Sequence, residues 1–173
     1  MILKAPPLDS AARSELDPML FREGMSRVAA AVHVVTTDGP AGRAGFTATA
    51  VTPVTDTPAS LLVCVNSSGR SVKSLLQNGV FCVNTLSADD VAVADTFAGR
   101  KGLIGPDRFS VGIWDRSEAG LPRLTTGLVA FDCRISEARR VATHHVIIGE
   151  ILAVALGDRR APLIYQGRAY HRL

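Results

Sequence analysis

The sequence predicts a mainly β protein with a few helices, folded as a barrel. Fifteen glycines and nine prolines in 173 residues indicate the many turns that a protein of short strands requires. The segments that pattern as strands are numerous, and they do not alternate with helices in the βαβ order of a doubly wound sheet. The length fits one domain, which we expect at residues 17–173, after a flexible arm at residues 1–16.

The N-terminal part of this domain is predicted to contain one helix and three strands. Asp17 is a suitable N-cap and Pro18 a suitable first residue for a helix, which we expect to end near Ala31. Beyond it, short apolar or alternating segments bounded by turn residues predict strands. These strands are residues 31–38, 43–51 and 60–66.

Two further helices are predicted in the middle of the chain. Ser71–Asn78 patterns as a helix, and Gly79 fits the left-handed residue that ends it. The next helix is expected to be capped by Ser87, to carry the Asp89-Asp90 pair in its first turn and to end at Gly99.

The C-terminal half combines one long irregular segment with further strands. Residues 100–123 are rich in glycine and charge, and such a stretch is more often a functional loop than packing filler. The last residues predict a hairpin around Gly167. The remaining predicted strands are residues 80–86, 128–136 and 144–156.

Charge and cysteine content limit the possible functions. The net charge is +3, and the excess lies in residues 100–173, with 12 Lys+Arg against 7 Asp+Glu. This basic half suits phosphates, but it has no Lys/Arg run or finger spacing, so we expect no nucleic acid. No apolar stretch reaches the ~20 residues of a membrane span. The three cysteines lie in apolar segments and are expected to be buried free thiols of a cytoplasmic protein.

Three polar segments are candidates for binding a cofactor. Residues 45–50 carry small and hydroxyl side chains, which let a flat ring approach the backbone, although a plain strand with one polar face looks the same. Residues 66–71 run from a polar loop into a helix N-terminus, where Arg70 suits a phosphate and where Ser71 could equally be a plain N-cap. Residues 97–101 end a helix with cations, which complement its dipole or meet phosphates.

The histidines give no metal site. None of the four lies at metal-ligand spacing, so a bound organic cofactor is the expected carrier of any chemistry. His144 and His145 are adjacent on a strand and point to opposite faces, so at most one of them addresses a given pocket.

Taken in order, these segments resemble the short-chain flavin reductases, a family that includes the reductase partners of two-component flavin monooxygenases and the flavin reductase of pyrimidine degradation. The resemblance covers nearly all of the chain after residue 18. Its matching pieces are AAAVHVVTTDGPAGRAGFTATAVTPVT, LLVCVNSSGRS, FCVNTLS, FAGR, RFSVGIW, GLPRL, FDCRI, THHVIIGEI and PLIYQGRAY.

The resemblance implies a split β-barrel of the FMN-binding type, a homodimer, and FMN or FAD bound near the subunit interface. It also implies hydride transfer from NADH or NADPH to the flavin, with the reduced flavin supplied to a partner monooxygenase. Two alternatives stay open: a reductase of a bulky acceptor such as a cobalt corrinoid, and a flavin- or haem-binding module without turnover.

Twelve site residues follow from the resemblance and share proximity to the flavin or the nicotinamide. The flavin ring and ribityl chain are expected against Thr47, Ala48, Thr49 and Ala50. The flavin phosphate is expected near Asn66, Ser67 and Ser71, and the border of the site at Phe97, Arg100 and Lys101. The nicotinamide is expected beside His144, with Tyr170 in the segment that closes there.

Overall fold

The computed structural model describes residues 16–173, which form twelve β-strands and three α-helices. All but Leu16 of the predicted N-terminal arm lies outside this described part of the chain. The helices are α1 Pro18–Ser26, α2 Arg70–Asn78 and α3 Val91–Phe97, and a 3₁₀ helix spans Gly105–Ser110. The strands are β1 Ala30–Ala31, β2 His33–Thr37, β3 Ala44–Ala48, β4 Val51–Asp56, β5 Ala59–Asn66, β6 Val80–Thr85, β7 Trp114–Arg116, β8 Pro122–Leu124, β9 Val129–Val141, β10 His144–Leu156, β11 Leu163–Gln166 and β12 Ala169–Arg172.

The main sheet is rolled into a barrel by the connection between its two edge strands. Its seven antiparallel strands follow the order β3-β2-β6-β9-β10-β5-β4, so β3 and β4 lie at opposite edges. Only Thr49 and Ala50 join them, and such a link spans at most about 11 Å. Seven strands in a flat sheet would hold their edges roughly 29 Å apart. The sheet must therefore curl until its edge strands come close together at this link, although β3 and β4 do not pair, and this confirms the expected β-barrel.

Two smaller sheets extend this barrel. β1, β11 and β12 form a three-stranded sheet, and β7 pairs with β8. The β11–β12 hairpin turns at Gly167 and Arg168, whose φ angles of 58° and 62° are those of a two-residue type I′ turn. The predicted hairpin around Gly167 is confirmed.

The barrel interior is filled by aliphatic side chains around Phe81. Val35, Leu61 and Ile147 are buried there with it. A Cβ added to Gly149 on β10 would lie 2.4 Å from Phe81 Cζ, so only glycine leaves room for the ring at this position. From Leu61 to Val65, buried and half-buried residues alternate along β5, which shows the same inward face.

Helix α1 begins where the sequence predicts and ends earlier. Asp17 Oδ1 accepts the N–H of Met19 at 2.8 Å, which confirms the N-cap. The expected end near Ala31 is wrong, because the helix stops at Ser26 and β1 follows. Ala31 pairs with Ile164 of β11. This long-range strand pairing holds in β1 residues that the local pattern assigns to the helix.

The expected cap of α3 is also wrong. The helix begins at Val91, after Asp90. The N–H and Oγ of Ser87 both donate to Asp90 Oδ2, at 2.9 and 2.7 Å, so Ser87 holds the preceding turn while Asp89 and Asp90 precede the first helical turn. α2 runs from Arg70 and ends, as predicted, before Gly79 with a φ of 69°.

The strand predicted at residues 43–51 is divided between β3 and the start of β4, and β4 continues to Asp56. Pattern reading missed most of β4 because its side chains after Val51 are exposed and it contains Pro53. The irregular segment 100–123 contains the 3₁₀ helix and the β7–β8 ribbon. No helix within residues 16–173 is long and apolar enough to cross a membrane.

His33 makes the stability of the fold depend on pH. It is buried in β2, where its Nδ1 lies 3.1 Å from Thr85 Oγ1. Burial lowers the pKa of His33 from 6.5 to about 4. Between pH 6.5 and about 4 the unfolded chain binds a proton at His33 that the folded chain does not. The contribution of His33 to the free energy of unfolding is therefore complete above the pKa of the unfolded state, and it is lost as the pH falls toward the pKa of the folded state.

We expect His33→Gln to reduce the acid sensitivity of the fold. Glutamine keeps a polar partner for Thr85 but does not titrate. Urea unfolding at about pH 7.5 and about pH 4.5 should show that the wild type loses about 2–3 kcal/mol more stability than the variant. An equal loss in both proteins would contradict the assignment.

Candidate functional site

A cavity of about 720 Å³ opens where the barrel closes, and we call it the main cavity. Its volume is within the range of ligand pockets, roughly 300–1,000 Å³. Strand β3 and its link to β4 form one wall, and the end of β5 with the start of α2 forms another. The end of α3 and residues from the segment 102–108 complete the lining. Seven of the residues predicted for the site line it, namely Thr47, Ala48, Thr49, Ala50, Asn66, Ser71 and Phe97.

The wall from β3 is formed by small side chains. Thr47 Oγ1 donates to the carbonyl of Ala94 at 2.7 Å, which ties this strand to α3 and uses the hydroxyl proton. A Cβ at Gly45 would lie 2.7 Å from Phe97 Cε1, so the missing side chain lets the Phe97 ring pack against the strand. Ala48 is buried and Ala50 exposed, and both leave the backbone accessible from the cavity.

The loop before α2 forms the polar end of the main cavity. Asn66 Oδ1 accepts the N–H of Ser68 at 3.0 Å and its hydroxyl at 2.9 Å, which fixes the turn. Ser71 donates its hydroxyl to the carbonyl of Gly45 at 2.8 Å, so toward a ligand its oxygen is an acceptor. Ser67 is not among the lining residues, and its Oγ lies 3.0 Å from His145 Nδ1.

Two arginines line this polar end. Arg108 donates to the backbone carbonyls of Leu103 and Gly45, both at 3.1 Å, and of Phe97 at 3.2 Å. Burial, followed by the charge of Arg70, lowers the pKa of Arg108. Within residues 16–173 neither arginine forms an ion pair with a carboxylate. Two neighbouring positive charges without a counter-charge favour the binding of an anion between them.

From the loop pattern, Arg70 was expected as a phosphate ligand but was not among the twelve site residues, and Arg108 had no predicted role. Residue 108 lies in the irregular segment, which the sequence marks as functional without showing where its side chains go. The signal was a cation in a long glycine-rich loop. Its placement depends on the loop folding back onto β3 and α3, and no local pattern encodes that contact.

A smaller cavity of about 190 Å³ lies beside the main cavity, and we call it the tyrosine cavity. The two cavities share Thr47, Ala48, Thr49 and Ala98. The outer wall of the tyrosine cavity is Arg100, Tyr165 and Tyr170. The predicted residues Arg100 and Tyr170 therefore border this neighbouring space and not the main cavity. Lys101 is exposed and is not among the lining residues of either.

Arg100 is held in place on three sides. Its guanidinium is 2.9 Å from Asp95 Oδ1 and lies 5.4 and 6.0 Å from the ring centroids of Tyr170 and Tyr165. The hydrogen bond to Asp95, followed by the charge interaction with Tyr170, raises the pKa of Arg100. Burial raises the pKa of Tyr170. The wall thus combines a fixed cation with two aromatic rings.

His144 lies at the rim of the site. It is exposed on β10, directly across from Asn66 in the strand register, and its Nδ1 is 2.9 Å from Thr143 Oγ1. It is not among the residues that line the main cavity or the tyrosine cavity. Its neighbour His145 is half-buried and contacts Ser67.

The cysteines differ in their access to the site. All three are free, and Cys82 and Cys133 are buried as predicted, with burial raising the pKa of the Cys133 thiol to about 12. Cys64 departs from the prediction, because it is half-buried and lines the main cavity. Among residues 16–173 there is no group of His, Cys, Asp and Glu side chains that could hold a metal ion.

Comparison with known proteins gives consistent relatives. Residues 25–173 match the family described as the flavin reductase like domain. The chain is 46% identical over 158 residues to the NADH-dependent FMN reductase RutF of Methylorubrum populi, covering 91% of this chain and 77% of that one. It is 48% identical over 151 residues to RutF of Ancylobacter novellus, covering 87% and 82% of the two chains.

Solved structures agree with these relatives. A protein of Haemophilus somnus 129PT, assigned to the flavin reductases, superposes with a TM-score of 0.87 at 39% identity, over 91% of this chain and 100% of that chain. BorF, the flavin reductase component of a bacterial two-component tryptophan halogenase, superposes with a TM-score of 0.84 at 32% identity, over 91% and 98% of the two chains.

Proposed function

This chain belongs to the flavin reductase-like domain family, and on that basis we propose that it is an NADH-dependent reductase of FMN. The observation that carries the proposal is the main cavity, with small residues at one end and two arginines without a carboxylate partner in the described chain at the other. FMN has the matching form, since a flat ring and a phosphate dianion lie at its two ends. The cavity volume of about 720 Å³ fits a ligand of that class.

In this assignment the ring lies against β3 and the phosphate at the start of α2. Thr47, Ala48, Thr49 and Ala50 let the ring approach the backbone because none of them carries a large side chain. Arg70 and Arg108 hold the phosphate by charge-assisted hydrogen bonds. Asn66, Ser67 and Ser71 shape the loop around it, through the turn at Asn66 and the bond from Ser71 to Gly45.

The chemistry needs little from the side chains beyond placement. A bound flavin accepts the hydride of NADH, so no strong acid or base is required of the protein. Holding two rings in contact geometry can supply up to about 11 kcal/mol of the barrier reduction. His144 at the rim orients the nicotinamide carboxamide, and the wall of Arg100 and Tyr170 limits the space beside the ring. Phe97 closes the site from α3.

We propose that the reduced flavin leaves for a separate partner enzyme, a monooxygenase. BorF, the flavin reductase component of a two-component tryptophan halogenase, is a related reductase that works with such a separate enzyme. The main cavity is lined in part by solvent-exposed residues, such as Thr49 and Ile104. This contact with solvent supports exchange of the flavin. The free thiols of Cys64, Cys82 and Cys133 support a reducing compartment, the cytoplasm.

The first experiment follows NADH absorbance with the purified chain and increasing FMN, FAD or no added flavin. We expect oxidation that rises and saturates with FMN. Oxidation that depends on a retained flavin and an added acceptor would favour a reductase of a bulky acceptor such as a corrinoid. FMN binding without any NADH oxidation would contradict the proposal and favour a binding module.

We expect Arg70→Ala to weaken use of FMN and not of riboflavin. The exposed guanidinium of Arg70 has no carboxylate partner among the described residues, so its removal costs the phosphate contact and little else. The KM for FMN should rise about 10- to 100-fold, whereas riboflavin, which has no phosphate, should change less than about twofold. Lys73→Ala, which removes a cation one turn later on α2, is the matched control. An unchanged KM for FMN would exclude Arg70 from the phosphate site.

We also propose that the protein is a homodimer whose interface includes α1. This helix buries none of its residues within the described chain, and Met19, Leu20, Phe21 and Met25 are between 52% and 66% exposed. Several apolar side chains on one short exposed helix form a patch of the kind that marks an interface. A second copy fits it because most homo-oligomers are closed symmetric dimers.

Light scattering after size exclusion tests the dimer. The wild type should have twice the 18.3 kDa mass of the chain, and Leu20→Glu should shift it toward the monomer because a charge would be buried at the contact. Ile113→Glu, at a side chain that is 67% exposed elsewhere, is the control. A monomeric wild type would contradict the dimer, and a dimeric Leu20→Glu would exclude α1 from the interface.

A further inference from the structure

The position of Arg70 depends on the turn at residues 66–69, which joins β5 to α2 and which we call the entry turn. Gly69 is the N-cap of α2 and, as a glycine, offers no side-chain oxygen to the helix. The N–H of Gly69 donates to the carbonyl of Asn66 at 3.0 Å, and a Cβ at Gly69 would lie 3.1 Å from the same oxygen. The turn is therefore tight, and the guanidinium of Arg70 lies where the turn places the start of α2.

The side chain of Ser67 attaches the entry turn to a neighbouring strand. Asn66 and Ser68 bond to each other within the turn and set its shape. The N–H of Ser67 donates to the carbonyl of Thr143 at 2.9 Å, and its Oγ lies 3.0 Å from Nδ1 of His145, within hydrogen-bond distance. Both partners lie where β10 begins, and β10 pairs with β5 and β9 in the main sheet. One backbone bond and one side-chain bond thus hold the entry turn to the barrel.

The two adjacent histidines of β10 make different contacts, because neighbouring residues of a strand point to opposite faces. His144 is exposed, and its Nδ1 is 2.9 Å from Thr143 Oγ1. His145 is half-buried, lies across from Val65 in the strand register and contacts Ser67. Val65 lines the main cavity, whereas His145 is not among its lining residues. His145 therefore affects a ligand in this cavity through the residues that it holds, and not by direct contact.

We propose that His145 is a positioning residue for the phosphate of FMN. The inference rests on the proposed function, because it takes the phosphate to lie at Arg70. The ring of His145 holds Ser67, Ser67 holds the entry turn, and the turn places Arg70 at the polar end of the main cavity. Arg108 is attached by three bonds of its own, so loss of the His145 contact weakens the phosphate site without removing it. The two histidines thus act on different substrates, His144 on the nicotinamide and His145 on the flavin phosphate.

Flavin fluorescence titrations of the purified full chain with FMN and riboflavin test this role. His145→Leu should raise the Kd for FMN about fivefold and change the Kd for riboflavin less than about twofold, since only FMN carries the phosphate. Ser67→Ala should have the same selective effect. His145→Asn, which keeps a polar atom near the position of Nδ1, should restore most of the affinity for FMN.

A double variant shows whether the two residues act through one contact. The chain that combines His145→Leu with Ser67→Ala should bind FMN no more weakly than either single variant, because each change alone already removes the bond. A loss of affinity equal to the sum of the two single effects would overturn the inference, because His145 would then not act through Ser67.

Ser136→Ala is the matched control, because it also removes a hydroxyl that bonds to β10, at the carbonyl of Ile148 (3.1 Å), and Ser136 is not among the residues lining either cavity. It should leave both Kd values unchanged. An unchanged Kd for FMN in His145→Leu would overturn the positioning role. An equal loss of FMN and riboflavin binding would also overturn it, because such a loss indicates a general effect on packing.

Arg70→Ala in the same titrations separates this inference from the proposed function. FMN affinity that falls in Arg70→Ala and not in His145→Leu would overturn the positioning role alone. FMN affinity that is unchanged in Arg70→Ala would overturn the phosphate site of the proposed function, and the role of His145 with it.

Discussion

The two-residue link between β3 and β4 is the constraint on which the rest of the structure depends. Thr49 and Ala50 must join strands at opposite edges of a seven-stranded sheet, so the sheet has to close. The carbonyl of Ala50 accepts the N–H of Cys64 at 3.0 Å, which fixes the crossing point against β5. Closure leaves a gap between the edges that backbone pairing does not fill, and the main cavity lies there.

The helices then complete the site by packing on β3. Phe97 of α3 lies against Gly45, and Ser71 of α2 donates to the carbonyl of the same glycine. One strand residue thus receives contacts from two helices and, through Arg108, from the long loop. On the barrel side the site is bounded by β3, its link to β4 and the end of β5. Its charge comes from the loop and from the start of α2.

Local signals in the sequence were sufficient for some elements. The Asp17-Pro18 pair starts α1, Gly79 ends α2, and the hairpin turns at Gly167, because each depends on the backbone preferences of one or two residues. The β-barrel class followed from the number and order of strands, and seven of the twelve site candidates do line the main cavity. Resemblance to a family supplied those candidates, since their pattern alone fits an ordinary strand or loop.

The other elements and site residues could not be predicted, because contacts between residues far apart in the sequence decide where they lie. The end of α1 is decided by pairing of β1 with β11, far along the chain. The start of α3 is decided by Asp90, which accepts from both Ser87 and Thr126. Arg100 borders a neighbouring cavity because its guanidinium is held by Asp95 and Tyr165. Tyr170 lines the same cavity through the pairing of β12 with β11. Arg108 enters the site through the fold of a loop that has no periodic pattern.

The hydrogen bonds of Arg108 allow the loop at residues 100–123 to change its sequence and stay attached to the barrel. All three of its acceptors are backbone carbonyls, at Gly45, Phe97 and Leu103. A carbonyl is present whatever side chain the residue carries, so mutation of Leu103 leaves the bond available, provided that the backbone path is kept. Natural variation can therefore alter the loop sequence and the ligands that it admits while one arginine keeps the loop attached to the barrel.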